Sequence, residues 1–148
     1  FQRELADYVG VPVATSSLMQ APFVQRLLPR GRRVGILTVN SVALTTAHLE
    51  AAGVDPDTPV QGTEGGRELS RVLIGDLTEL NVDLARRDML EAGQALLAAH
   101  EGIGAIVLEC TNMGPYARDL SEDTGLPVFD VVSCLNWFHA GLAPQRFI

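Results

Sequence analysis

The chain has 148 residues, 47% of them hydrophobic, and a formal net charge of −7. That is enough for one compact domain with a real core, or one domain and a fragment of another, and nothing is biased enough to suggest disorder. Apart from "RGRR" at Arg30 to Arg33 there is no basic cluster, which argues against a nucleic-acid partner and for a small molecule or a protein.

The opening "FQRELADYVG" reads as a helix already under way, with Phe1, Leu5, Tyr8 and Val9 on one face and Gly10 as its stop. The expectation is a chain that begins partway through a larger protein. "VPVATSS" reads as a short strand ending in hydroxyl residues, and "LMQAPFVQRLLP" as a helix closed by Pro29. A boundary is placed at "PRGRR", giving residues 1–30 as the end of one α/β domain and residues 31–148 as the next.

The second unit starts with "RVGILTVN", a nearly continuous apolar run of the kind found in parallel strands covered on both faces. "SVALTTAHLEAAGV" follows as a helix capped by Asn40 or Ser41 and ended by Gly53. A brief strand is predicted at Val60 to Thr63, then a glycine-hinged loop and short helix in "EGGRELSRVLIGDL". The longest helix is predicted over Val82 to His100, where Val82, Ala85, Met89, Ala92, Leu96 and Ala99 recur at helical spacing. Strand "AIVLE", helix "PYARDLSEDTG", strand "PVFDVV" and helix "CLNWFHAGL" complete the chain.

Strands alternating with helices predict a parallel, doubly covered α/β sheet. A flavodoxin-like order, 2-1-3-4, sets the Val34 strand beside the Ala105 strand, with the ligand crevice beyond the carboxyl ends of those two strands. "TVNS" and "CTNMG" meet there, so Cys110 falls at the place that topology keeps for ligand. It reads either as a nucleophile or proton-transfer group, or as a small apolar filler. Thr38, Asn40, Ser41, Thr111 and Asn112 read as donors to a carboxylate or as helix caps, two uses that are compatible. For Ser16 and Ser17 the capping use leads, although both are placed to line the same crevice.

Cys134, beside Leu135, Trp137 and Phe138, reads as a core thiol. The two cysteines make no disulfide framework and share no metal-ligand spacing with His48, His100 or His139. All eleven basic residues are arginine, which excludes a lysine Schiff base with pyridoxal phosphate and a P-loop lysine within this chain. No apolar run approaches the roughly 18 to 20 residues that cross a bilayer and no signal-peptide pattern opens the chain, so a cytoplasmic location without membrane contact is expected.

Taken together, "VPVATSS", "RRVGILTVNS", "GTEGG" and "AIVLECTNMGPYARDLSEDTGLPVFDVVS" resemble the aspartate/glutamate racemase family, within the wider superfamily of hydantoin racemases, maleate isomerases and arylmalonate decarboxylases. The most specific part is the strand-ECTN-x-x-P-Y segment followed by "TGLPVFD". The resemblance implies two pseudo-symmetric α/β domains with the site between them, one cysteine from each, and racemisation without a cofactor. One cysteine removes the α-proton and the other returns a proton to the opposite face.

Carried over by residue, the resemblance makes Cys110 the second-domain catalytic cysteine. It makes Thr111 and Asn112 the substrate-binding turn, and Thr38, Asn40 and Ser41 the facing turn that holds a substrate carboxylate. The first-domain cysteine is not in this chain, so these residues alone are not expected to racemise. Asn112 stands where several relatives carry histidine or glutamate, and Gly114 where proline is common. The function expected is a racemase of aspartate, glutamate or a related α-substituted carboxylate, working as a homo-oligomer. The alternatives are a decarboxylase or maleate isomerase with one essential thiol, and a non-catalytic fragment that associates with another chain.

Overall fold

A computed structural model describes residues 1–147. Four parallel strands, β1 (Arg33–Thr38), β2 (Val60–Gly62), β3 (Ile103–Leu108) and β4 (Val128–Phe129), form one sheet in the order β2-β1-β3-β4. This is the order expected from the sequence. The two central strands are buried almost throughout, because helices cover both faces and every second side chain faces each layer.

One face holds α4 (Leu69–Ile74), α5 (Val82–Ala99) and α6 (Ala117–Thr124). Leu69, Met89, Leu96 and Leu120 from these helices share a fully buried cluster with Leu37, Ile106 and Leu108 of the sheet. Close approach is needed here. A Cβ on Gly35 would lie 2.6 Å from Leu96, and one on Gly93 would lie 2.4 Å from Leu120, so glycine lets α5 settle against both the sheet and α6. The opposite face holds α2 (Ala21–Leu27) and α3 (Thr46–Ala51). There Leu18, Ala21, Val24 and Leu49 pack with Val34, Ile36, Ala105 and Val107, so part of the stretch before residue 31 lies against this sheet.

Several boundaries differ from expectation. Residues 11–16 join no strand; they run beside α1 (Gln2–Val9), whose Gln2 Nε2 donates to Val13 O (2.8 Å) and whose Gln2 Oε1 accepts from Thr15 Oγ1 (2.7 Å). A lone extended segment needs a neighbouring strand to form a ladder, and none of the four strands pairs with these residues. The helix expected from Ser41 starts at Thr46, because Asn40 Oδ1 accepts the N–H groups of Val42 and Ala43 in a tight turn and Thr45 becomes the cap.

The helix expected from Pro115 begins as a 3-10 segment over Thr111–Tyr116 and becomes α6 only at Ala117. Pro115 has no N–H to give the preceding turn. The strand expected over "PVFDVV" stops at Phe129 because Asp130 and Ser133 form a capping box that starts α7 (Val131–Leu142). The long helix matches its expected span to one residue and is capped by Asn81.

Candidate active site

Because β1 and β3 are parallel neighbours, their carboxyl ends open onto the same crevice. Ser17 Oγ donates to Leu108 O (2.6 Å) and Glu109 O (3.0 Å), satisfying carbonyls at the end of β3 that no strand neighbour takes. Glu109 Oε2 accepts from Thr38 Oγ1 (2.9 Å), which ties the ends of the two strands side chain to side chain. The next residue, Cys110, adopts an extended conformation and starts the 3-10 turn, with its carbonyl accepting from Met113 N–H (3.1 Å).

Cys110 and Glu109 stand on the ridge between two clefts. One, of about 490 Å3, is walled by Thr38, Asn40, His48, Ile74 and Asn112. The other, of about 450 Å3, is walled by Ser16, Ser17, Thr111, Val131 and Cys134. A larger cleft of about 600 Å3, containing Arg33, Asp55 and Asp57, opens at the amino-terminal end of β1, away from Cys110. In open parallel sheets the ligand lies at carboxyl ends, so chemistry rather than size selects the site.

Partial burial pushes the Cys110 thiol up from its ordinary range, and the nearby Glu109 charge adds to the rise. The neighbouring backbone and side-chain amides of Asn112 pull the other way without prevailing. The group is therefore a thiol at neutral pH. Burial raises Cys134 as well.

The structure gathers the other expected residues around the same crevice but engages them differently. Thr38 is buried and holds Glu109; Asn40 is spent on its own turn. Ser41 N–H donates to Glu64 Oε1 (3.2 Å), and Ser41 Oγ also hydrogen-bonds to that oxygen. Ser16 caps Leu18 N–H (3.1 Å), as its leading sequence reading has it. Thr111 and Asn112 flank Cys110 and are exposed.

Three features were missed in the sequence: the Thr38–Glu109 pair, the Glu64–Ser41 contact and His48 on the cleft wall, where its Nδ1 accepts from Thr45 N–H (3.1 Å). Only Gly62 hints at any of them. A Cβ there would lie 1.5 Å from Glu64 Oε2, so the glycine leaves room for that carboxylate.

The sequence profile of the Asp/Glu/hydantoin racemases matches residues 3–138. The chain belongs to the Asp/Glu/hydantoin racemase family. Among solved structures, an allantoin racemase from Pseudomonas fluorescens shares the fold, with a TM-score of 0.58 at 16% identity over 88% of this chain and 60% of that one. A dimethylsulfoniopropionate lyase from Durusdinium sp. clade D is 29% identical over 147 residues, which is 95% of this chain and 48% of the lyase. Dimethylsulfoniopropionate lyase 6 of Emiliania huxleyi is 30% identical over 152 residues, 96% of this chain and 39% of that protein. This racemase-family chain thus spans about half or less of the length of these curated relatives. Among the described residues no helix is long and apolar enough to cross a membrane.

Proposed function

We propose that this chain supplies one wall of an active site for proton transfer at the α-carbon of a small carboxylate, with Cys110 as the group that carries the proton. The supporting observation is the half-buried thiol at the carboxyl end of β3, set between exposed Thr111 and Asn112 on one side and Glu109 on the other. Thr111 and Asn112 are the donors for the substrate carboxylate, whose pull makes the α-proton removable by delocalising charge into an enediolate. Held as a thiol, Cys110 gives its proton to one face of that planar intermediate and becomes thiolate; in the reverse direction the thiolate takes the α-proton. Inversion needs a second acid or base on the opposite face. The resemblance to the racemases assigns that group to the other half of the site, and the site works without a cofactor.

A second reading shares the first step. The curated relatives are called lyases of dimethylsulfoniopropionate, in which a sulfonium leaving group stands β to the carboxylate. Once the α-proton has passed to a thiolate, the electron pair left on the α-carbon can expel the sulfur at the β-carbon. The C–S bond breaks, its electrons stay on a neutral sulfide, and an unsaturated carboxylate remains. Racemisation and elimination therefore differ in what the intermediate does next, and Cys110 serves either.

The test is hydrogen exchange in deuterated water on this chain and on any longer polypeptide that carries it. Aspartate, glutamate and dimethylsulfoniopropionate are supplied in turn. Cys110→Ser is expected to lower α-exchange by about 100-fold or more, the usual contribution of a positioned proton-transfer group. Undiminished exchange in that variant sinks the reading. Inverted amino acid or released dimethyl sulfide tells the two outcomes apart.

A further inference from the structure

We infer that Glu109 recognises a positive charge on the substrate, so that the site takes zwitterionic carboxylates in preference to simple anionic ones. The inference rests on the proposed role of Cys110 and adds to it the class of substrate. Glu109 lines three separate clefts: the two that border Cys110 and a third of about 300 Å3 bounded by Gln2, Ser16 and His48. No arginine lines any of them, and the chain has no lysine. Among the described residues Glu109 joins no ion pair; its side chain has one protein partner, the neutral hydroxyl of Thr38 on Oε2. The one basic side chain nearby, His48, uses its Nδ1 as an acceptor for Thr45 N–H.

A partly desolvated carboxylate without a cation is unfavourable, and a ligand that brings one relieves it. Thr38 engages Oε2 and leaves Oε1 without a protein hydrogen bond among the described residues. A substrate carboxylate laid against Glu109 is repelled, which directs it to Thr111 and Asn112 on the other side of the thiol. The carbon between the two charges then lies over Cys110. An α-ammonium or a β-sulfonium supplies the same positive charge.

The experiment measures binding to this chain, and to any longer polypeptide that carries it, using pairs that differ in charge at nearly constant shape. One pair is dimethylsulfoniopropionate and 4-methylpentanoate; the other is aspartate and succinate. At least one zwitterion is expected to bind tenfold or more tightly than its partner, and the pair that shows this identifies the cation. In Glu109→Gln, whose carbonyl still accepts from Thr38, that ratio should fall to about one while the uncharged-end analogue binds as well or better. Equal binding of both members to the unsubstituted protein overturns the inference. So does an equal loss of both in the variant, or no binding of any probe to a protein that melts cooperatively. Failure of the Cys110 reading shows separately, as α-exchange that survives Cys110→Ser.

Discussion

Two strand-to-helix turns face each other across the crevice, built from the same residue types and used in opposite ways. After β1, Asn40 closes its own turn, Ser41 is held by Glu64, and Thr38 clamps Glu109. After β3, Thr111 and Asn112 stand exposed, and among the described residues no other protein group holds their side chains, that of Asn112 lying beside the Cys110 sulfur. The first turn is a frame and the second is a set of available donors. What decides the difference is the loop behind the first turn, which brings an acidic residue within reach of Ser41. The second turn has only Pro115 and the start of α6 behind it.

The frame is anchored further back. Asp88 on α5 is buried, and its carboxylate accepts from the N–H groups of Arg67 (2.9 Å), Glu68 (2.7 Å) and Leu69 (2.8 Å). A Cβ on Gly66 would lie 2.4 Å from Asp88 Cγ, so glycine admits the contact. Asp88 thereby positions the loop that carries Glu64 to Ser41. Asp88→Ala strands two buried donors and one part-buried one and is expected to cost about 3 kcal/mol in urea unfolding. A cost below about 1 kcal/mol breaks the idea that the frame is held from behind.

The next effect is on binding and sets the two turns directly against each other. Thr111→Ala and Asn112→Ala each remove a donor to a charged group, worth roughly 1.5 kcal/mol or more. Affinity for a small carboxylate should fall about tenfold in each variant. Ser41→Ala, whose hydroxyl is already committed to Glu64, should change affinity by less than about threefold on the same reasoning. Titration of the three variants with one carboxylate decides it, and a larger loss in the Ser41 variant reverses the assignment of frame and donor.

The fold was legible where a signal was local and strong. Uninterrupted apolar runs gave β1 and β3, helical spacing gave α5, and strand-helix alternation gave the sheet order. The place of Cys110 followed from that order without any contact being known. Boundaries failed where a side chain outbid the backbone pattern, as Asn40 does before α3 and Asp130 does after β4. Residues 11–16 have strand-like composition but pair with none of the four strands, lying beside α1 instead. The pairs Thr38–Glu109 and Ser41–Glu64 were invisible because they join residues 71 and 23 positions apart, and no periodicity encodes which long-range side chains meet.

The finest distinction between the turns is electrostatic and is read at Cys110 itself. Burial raises its thiol, Glu109 raises it further, and Asn112 lowers it. A raised thiol stays protonated to higher pH, so alkylation by iodoacetamide in a Cys134→Ser background should have a midpoint above that of the same protein unfolded in urea. Glu109→Gln removes a repelling charge and should move the midpoint down. Asn112→Ala removes the side-chain amide that favours thiolate but keeps the backbone N–H, so it should move the midpoint up by a smaller amount. The frame residue Ser41, which does not contact the sulfur, should leave it unmoved. If Glu109→Gln and Asn112→Ala shift it the same way, the two neighbours of Cys110 do not oppose each other and the contrast fails at the sulfur.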